Sequence, residues 1–293
     1  MRTLRFATLA ALALVCGCEA ATPQHPPLTG RTEEFSLRGV AVDDEFSIFV
    51  RLPAAYDEKP DARFPVVLQL DGNTPILEEF DVTAGQASDL EAMGRIPPTI
   101  VVGIGYPYSA QESNKGRNRD YTLPLKHPDT MGGTTSGGAP QFLAFLRDEL
   151  VPALGARYRI QGPEGRALFG HSLGGLFVEF AFLNQDAAKP FVSGFVAASP
   201  SLWFDSGSIY GYFDEFKASH TEVPAILFST VGGLEGPAMT VYFDDLSQRT
   251  REAWFSKLHF DTRTYGTDHM GTISPSFRDG LEFLFRNGLG VTP

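Results

Sequence analysis

The alternation of short apolar runs with helix-length segments, from residue 65 onward, constrains the fold of this chain most. Compact apolar runs predict strands that are buried on both faces, at 65–70, 99–104, 166–169, 191–198 and 225–231, and a last strand that alternates in polarity is expected at 258–264. Helices are expected between them, at 76–93, 142–154, 173–184, 238–257 and 277–285. Such alternation predicts a mostly parallel central sheet with helices on both faces, a three-layer α/β/α sandwich.

Two stretches fall outside this alternation. Residues 35–38 and 46–52 read as strands joined by the turn residues Asp43 and Asp44, so we expect an antiparallel pair at the start of the sheet. Residues 105–138 carry many Gly, Pro, Thr and charged residues. We expect this second stretch to be irregular and to build a site rather than core.

Composition narrows the class of protein. The chain has 293 residues, 43% of them hydrophobic, which is enough for one large core and one folded domain. Its formal charge of −11 argues against a nucleic-acid partner, because a phosphate backbone needs a basic face. The same charge is otherwise typical of a soluble protein.

The first residues have the order of a secretory signal. Arg2 and Arg5 form a basic start, and the apolar run 6–15 is too short to span a bilayer. Residues 15–18 read Val-Cys-Gly-Cys, which is similar to a bacterial lipoprotein box, and we expect Cys18 to be acylated after cleavage. The alternative is an ordinary secretory signal that is discarded with both cysteines. Either interpretation predicts an exported protein, secreted or held in the cell envelope by a lipid anchor.

These features divide the chain into three parts. We expect a lipoprotein-type signal peptide over 1–18, a flexible tether rich in Pro and polar residues over 19–32, and one folded domain over 33–293. Both cysteines, Cys16 and Cys18, lie in the first part. The folded domain therefore has no thiol, which excludes disulfides, cysteine zinc sites and cysteine nucleophiles within it.

The strongest local motif is Gly170-His171-Ser172-Leu173-Gly174-Gly175, which lies directly after one predicted strand and directly before a predicted helix. A G-x-S-x-G motif in this position is typical of a nucleophile elbow, in which a serine sits in a strained backbone conformation. Glycines two residues before and after the serine allow the strand and the helix to approach. Ser172 is therefore the predicted nucleophile, and an N-capping serine in a glycine-rich turn is the alternative.

A serine hydroxyl is a weak nucleophile at neutral pH, so a base must take its proton. His269 lies just after the last predicted strand, in a loop that can return to the ends of the strands, and is the predicted base. An acid that orients the histidine should follow the strand over 225–231. Glu235 is the preferred acid because its loop is rich in glycine. Asp244 and Asp245 are its rivals, whereas Asp268, adjacent to the histidine, is interpreted as a loop residue, and a Ser-His dyad without an acid is a further alternative.

A tetrahedral intermediate needs hydrogen-bond donors for its oxyanion. The backbone N–H of Leu173 is the first predicted donor, and that of Gly72 or Asn73, after the strand over 65–70, is the second. A simple turn explains the second sequence equally well. No metal or organic cofactor is expected, because the nucleophile, the base and the donors are all protein groups.

The order of motifs resembles the esterase D-like branch of the α/β-hydrolases, which includes the ferric enterobactin esterases. The resemblance covers most of the mature chain and rests on Leu70-Asp71-Gly72, Arg119-Asp120-Tyr121-Thr122, Gly170 to Gly175, Ser199-Pro200-Ser201-Leu202-Trp203 and Asp268-His269. It implies an α/β-hydrolase fold and hydrolysis of acyl esters by Ser172 and His269, in a cleft at the carboxyl ends of the strands.

The resemblance also implies substrate-binding residues. Trp203 would line the cleft, and Arg119 would bind an anionic or carbonyl-rich substrate. An Arg-Asp pair that braces a long loop is the alternative for Arg119. The expected activity is that of a serine esterase acting on a small-molecule ester, such as a siderophore. An acyltransferase with the same triad and a non-catalytic surface protein with the same fold are the alternatives.

Overall fold

The computed structural model describes residues 29–73, 79–126, 135–186 and 190–291. Within them a single sheet of eight strands runs through the molecule. The strands are β1 (Arg31–Gly39), β2 (Asp44–Leu52), β3 (Val66–Gln69), β4 (Ile100–Gly105), β5 (Arg166–His171), β6 (Gly194–Ala198), β7 (Glu222–Gly232) and β8 (Ser256–Tyr265). Each predicted strand corresponds to one of these.

The helices connect the strands in chain order. They are α1 (Ala55–Glu58), α2 (Glu79–Ala92), α3 (Ala110–Asp120), α4 (Ala139–Phe145), α5 (Val151–Arg157), α6 (Leu173–Leu183), α7 (Ile209–Ser219), α8 (Pro237–Glu252) and α9 (Ile273–Arg286). A π-helical turn, Leu146–Leu150, joins α4 to α5 and widens the helix just before Pro152, whose ring would crowd the preceding turn of an α-helix.

The strand order is β1-β2-β4-β3-β5-β6-β7-β8. β1 pairs antiparallel with β2, and β2 antiparallel with β4, whereas every other neighbouring pair is parallel. The predicted antiparallel start is therefore confirmed, as is the mostly parallel sheet. β3, β4 and β6 are buried along their whole length, which explains their uninterrupted apolar sequences.

Two apolar clusters fill the space on either side of the sheet. One contains Phe80 and Leu90 of α2 with Phe277 and Leu284 of α9. The other, larger cluster takes in α4 to α8. The three-layer α/β-hydrolase fold expected from the sequence is thus what the chain forms.

The prediction for residues 105–138 was wrong in part. This stretch was expected to be irregular, but residues 110–120 form the helix α3. The helix has no apolar stripe for a periodicity argument to detect. Gly116 packs directly on the ring of Tyr106, and Arg117 and Arg119 form ion pairs with carboxylates elsewhere in the fold. Helix α7 was not predicted either.

The predicted signal peptide, with Cys18, lies outside the described residues. Of the predicted tether, residues 29–32 are described, and they belong to the body of the protein. Arg31 and Thr32 pair with β2, and the carbonyl of Thr29 accepts a hydrogen bond from Arg51 Nε at 3.1 Å. In the described part of the chain, no helix combines the length and apolar character needed to cross a bilayer.

The parallel strands β3 to β8 all point the same way, so their carboxyl ends meet at one edge of the sheet. Asp71, Ser172, Ser199, Glu235 and His269 follow β3, β5, β6, β7 and β8 respectively. In parallel α/β sheets this edge is where ligands bind.

Candidate active site

Ser172 sits at a strained turn between β5 and α6. Its backbone has φ 60° and ψ −117°, a conformation that non-glycine residues rarely adopt. Its N–H donates to the carbonyl of Ala198 at 2.9 Å, and its carbonyl accepts from the N–H of Ser201 at 3.0 Å. These two bonds to the end of β6 and the loop beyond it hold the turn in place.

The glycines around Ser172 differ in whether the structure leaves room for a side chain. A Cβ at Gly170 would lie 2.4 Å from the carbonyl oxygen of Gly174, and one at Gly175 would lie 2.7 Å from that of Ala198. A Cβ at Gly174 would meet only ordinary contacts, the nearest at 3.4 Å. The close approach of strand and helix therefore depends on Gly170 and Gly175.

Glu235 and His269 form a close pair. Glu235 Oε2 lies 2.5 Å from His269 Nδ1, and the carboxylate side chain is almost completely buried. Its other oxygen, Oε1, accepts hydrogen bonds from the N–H of Gly232 at 2.7 Å and from Ser199 Oγ at 2.6 Å. With its Nδ1 facing the acid, the imidazole has its Nε2 left for a proton transfer.

The other acids considered from the sequence have surroundings different from that of Glu235. Asp245 lies on α8 and bonds Arg249 Nε at 2.8 Å, and Asp244, on the same helix, is exposed. Asp268 Oδ1 accepts the backbone N–H of Gly271 at 2.9 Å. Among the acids considered from sequence, the structure places Glu235 on His269.

The Ser172 hydroxyl has another serine as its partner. Its Oγ lies 3.3 Å from Ser201 Oγ. Both Ser172 and His269 belong to the described residues, and no hydrogen bond joins them in this arrangement. The histidine is nonetheless adjacent, because the ring of His171, the residue before the nucleophile, packs on the His269 ring with centroids 4.4 Å apart.

The three predicted oxyanion donors differ in availability. Leu173 is the first residue of α6, so its N–H has no partner within the helix. The N–H of Gly72 donates to the carbonyl of Ile104 at 2.9 Å and is taken up by the sheet. The side chain of Asn73 bonds both the N–H and the carbonyl of Tyr106, at 2.8 Å each, and its own N–H bonds no other described residue. Asn73 is thus the available one of the two donors predicted after β3.

Arg119, predicted to bind substrate, is held by carboxylates. Its Nε bonds Asp120 at 2.6 Å and its Nη2 bonds Asp44 at 2.9 Å. Burial raises the pKa of Asp120 although the interaction with Arg119 opposes this effect. Against the effect of its own burial, the two carboxylates raise the pKa of Arg119, so the guanidinium stays charged. The structure therefore places Arg119 in the bracing arrangement considered as its alternative.

Arg117, two residues earlier, contacts the elbow, which the sequence did not reveal. Its Nε and Nη2 form a bidentate pair with Asp71, at 2.8 and 3.0 Å, and Nη2 also donates to the carbonyl of His171 at 3.2 Å. Asp71 is fully buried, with φ 60°. No local sequence pattern distinguishes Arg117 from Arg119 for this role, because the two lie two residues apart in the same stretch.

Apolar side chains flank the site in the sequence and are exposed. Trp203, beyond the loop that contacts Ser172, is 37% exposed and donates its Nε1–H to Met239 Sδ at 3.2 Å. Leu234 precedes Glu235 and Met270 follows His269, and both are exposed. We call these three exposed side chains, Trp203, Leu234 and Met270, the apolar rim.

Comparison with known proteins agrees with this geometry. The family model described as "Putative esterase" matches residues 39–244. The chain is 32% identical over 202 residues to the ferri-bacillibactin esterase BesA of Bacillus subtilis. The matched region covers 64% of this chain and 67% of that protein. It is 26% identical over 271 residues to the siderophore triacetylfusarinine C esterase of Aspergillus fumigatus, covering 83% and 90%.

A solved structure shares the architecture. The IroE-like serine hydrolase from Shewanella oneidensis superposes with a TM-score of 0.75 at 25% identity, covering 87% of this chain and 80% of that one. Fold and site together define an α/β-hydrolase of the esterase type. The chain belongs to the esterase family that the matching model describes, and the resemblance and the ester-hydrolase class expected from the sequence are confirmed.

Proposed function

We propose that this chain is a serine carboxylic ester hydrolase with Ser172 as nucleophile, His269 as general base and Glu235 as the acid that orients the base. The observation that carries this proposal is the 2.5 Å contact of Glu235 with His269 Nδ1, beside a serine in a strained strand-to-helix turn. The buried carboxylate fixes the tautomer in which Nδ1 carries the hydrogen and Nε2 accepts a proton.

Acylation begins when Ser172 Oγ exchanges its Ser201 partner for His269 Nε2. Catalytic hydrogen bonds commonly tighten only when substrate is bound. Oγ attacks the ester carbonyl carbon, its proton passes to Nε2, and the carbonyl π electrons move to oxygen. The N–H groups of Leu173 and Asn73 hold that oxyanion. When the carbonyl re-forms, the C–O bond to the alcohol breaks, and the alcohol leaves with the proton from His269.

Deacylation repeats these steps with water. His269 takes a proton from the water as its oxygen attacks the acyl carbon, and the collapse of the second tetrahedral intermediate breaks the bond to Ser172 Oγ. The histidine returns the proton to Oγ. The products are a carboxylic acid and an alcohol, and the enzyme is unchanged.

We propose a siderophore ester as the substrate. The relatives at 32% and 26% identity are named as esterases of two different siderophores, ferri-bacillibactin and triacetylfusarinine C. The apolar rim supports a bulky ligand, because exposed apolar surface beside a site is typical of ligand contact. The named relatives are hydrolases and give no support to the acyltransferase or non-catalytic alternatives.

The direct test is labelling by a fluorophosphonate probe together with hydrolysis of p-nitrophenyl esters and of bacillibactin and triacetylfusarinine C. We expect the wild type to be labelled at Ser172 and to hydrolyse esters. Ser172→Ala should lose labelling and at least about 10³-fold in kcat. A Ser172→Ala protein that hydrolyses esters at the wild-type rate would refute the mechanism.

For cellular location we propose export with a lipid anchor on Cys18, supported by the sequence pattern of residues 2–18 alone. Mass spectrometry of the mature N-terminus after expression in a bacterium tests this. A diacylated N-terminal Cys18 is expected. A mature chain that begins downstream of Cys18 contradicts the anchor and leaves an ordinary secretory signal.

A further inference from the structure

His171, the residue before the nucleophile, is buried and makes one side-chain hydrogen bond among the described residues. Its Nε2 lies 2.9 Å from the backbone carbonyl oxygen of His269. A carbonyl oxygen only accepts, so Nε2 carries the hydrogen and donates it. The Nδ1 atom is then unprotonated, and it meets no donor in the described part of the chain.

The ring is neutral. Burial, and next to it the nearby His269 and Arg117, lower the pKa of His171 to about 3, against the effect of its own hydrogen bond. At neutral pH His171 therefore adds no positive charge beside His269. In the proposed mechanism His269 becomes a cation during each turnover, and a neutral His171 does not repel that charge.

A packing role alone explains this arrangement poorly. A buried imidazole nitrogen without a partner costs stability, and a phenylalanine or leucine would fill the same volume without that cost. The hydrogen bond that the His171 side chain forms in the described part of the chain is to the backbone of His269, and it links β5 to the loop after β8.

The other end of His171 is fixed as well. Arg117 Nη2 donates to the His171 carbonyl, and Asp71 holds Arg117 in a bidentate pair. The His269 carbonyl, in turn, accepts a second hydrogen bond from Thr272 Oγ1 at 2.7 Å. A continuous set of bonds thus runs from Asp71 through the elbow to the backbone of His269.

We propose that His171 is a positioning residue for the catalytic histidine: its Nε2–H, donated to the His269 carbonyl, fixes the backbone of the loop that carries the base next to the nucleophile turn. This inference rests on the proposed function. The His171 ring packs on the imidazole of His269, but its hydrogen bond goes to the backbone of His269, and through that bond it positions the base. Glu235 sets the rotation of the imidazole, whereas His171 and Thr272 set the place of its backbone.

The experiment compares two substitutions at this position. His171→Gln keeps an N–H donor at a similar reach, and His171→Phe keeps the ring volume and the contact with His269 but removes the donor. We expect kcat for a p-nitrophenyl ester to fall about 10- to 100-fold in His171→Phe with KM within about twofold of wild type, and to stay within about threefold in His171→Gln. The second-order rate of fluorophosphonate labelling should fall in parallel with kcat.

Rates are normalised to the concentration of labelled sites and accompanied by melting temperatures, so that loss of folded protein is not counted as loss of rate. A folded His171→Phe protein with wild-type kcat would overturn the proposal. So would equal losses in the Gln and Phe variants, because the donor would then not be what matters.

A second pair of substitutions, at Thr272, tests the proposal if the His171→Phe protein does not fold. Thr272→Val removes the other donor to the same carbonyl, and Thr272→Ser retains it. A fall in kcat for Val with recovery for Ser supports the proposal, and wild-type kcat in Thr272→Val overturns it. A wild-type protein that the fluorophosphonate does not label would instead refute the proposed function itself, before any variant is compared.

Discussion

Two glutamates with buried side chains lie near β7, one beyond its carboxyl end and the other against its length. Glu235 follows the carboxyl end of the strand, where its two oxygens are met by the N–H of Gly232, the hydroxyl of Ser199 and the imidazole of His269. Glu179 lies on α6, the helix that begins directly after the nucleophile, and it accepts a hydrogen bond from the hydroxyl of Ser229 on β7. A small cavity lined by Leu202, Phe243, Leu246, Ser247, Thr250 and Phe260 adjoins it.

The difference between them shows what the end of a strand provides. Beyond β7 the chain turns, and free backbone N–H groups and neighbouring loops become available as donors to Glu235. Against the middle of the strand, backbone groups are already paired, so Glu179 receives a side-chain hydroxyl. Burial then raises the pKa of Glu179 to about 7, and the hydrogen bond from Ser229 offsets only part of that effect. The two glutamates thus differ in the donors around them: a backbone N–H and a loop hydroxyl meet Glu235, and a strand hydroxyl meets Glu179.

The largest expected effect comes from removing the carboxylate that contacts the base. In Glu235→Gln the side-chain amide would donate to His269 Nδ1 and stabilise the tautomer whose Nε2 already carries a hydrogen. That tautomer cannot accept the Ser172 proton, so we expect kcat to fall by about 10³-fold, with KM little changed. Steady-state hydrolysis of a p-nitrophenyl ester measures this.

Glu179→Gln is the matched control, since it removes a carboxylate of similar burial beside the same strand. Its kcat should stay within about twofold of wild type because Glu179 contacts no residue of the proposed triad. A Glu235→Gln protein with more than about a tenth of wild-type kcat would indicate a Ser-His dyad and would remove the functional difference between the two glutamates.

Most of the fold was predictable from sequence, because the strands β3 to β7 are buried runs whose apolar pattern depends only on their place in the sheet. Helices α3 and α7 were not predicted, and α3 shows why a sequence pattern can fail to reveal a helix. Helix α3 is polar all round and owes its place to ion pairs of Arg117 and Arg119 with residues more than forty positions away. No local periodicity records such partners.

The site was predictable to the extent that chain order fixes it. Ser172, Glu235 and His269 follow the parallel strands β5, β7 and β8, whose carboxyl ends meet at one edge of the sheet, so their order and loop positions sufficed. The choice between Arg117 and Arg119 was not accessible in that way, since both lie on one helix and only the packing of that helix decides which one reaches the elbow. The partner of the Ser172 hydroxyl, Ser201, likewise depends on where the loop after β6 folds back.

The second-largest expected effect is that of Glu179→Gln on the pH dependence of stability. The pKa of Glu179 is about 7 in the folded protein against 4.5 as its ordinary value. Below pH 4.5 both folded and unfolded states hold the proton. Between about 4.5 and 7 the unfolded chain loses its proton first, so the free energy of unfolding declines as pH rises, by up to a few kcal/mol in total. Glu179→Gln removes this decline. We expect the variant to exceed wild type in melting temperature at pH 8 and to match it more closely at pH 4.5.

Thermal unfolding across pH 4 to 9 provides the measurement, with Glu235→Gln unfolded in the same buffers as the comparison. If the Glu179→Gln and wild-type curves stay parallel over this whole range, Glu179 has no raised pKa. The contrast between the two glutamates would then be one of position only.

The smallest expected effect tests whether the donors themselves make the difference. Ser199→Ala removes the hydroxyl donor to Glu235 Oε1 and leaves the N–H of Gly232 in place. Loss of one hydrogen bond to a charged acceptor corresponds to about 1.5 kcal/mol, so kcat should fall about tenfold with KM unchanged. Ser229→Ala removes the hydroxyl donor to Glu179 and should leave kcat unaltered while lowering the melting temperature, most strongly where Glu179 is ionised. Equal kcat in both variants would mean that Gly232 alone holds the acid, and the number of donors would no longer explain why one glutamate supports a base and the other does not.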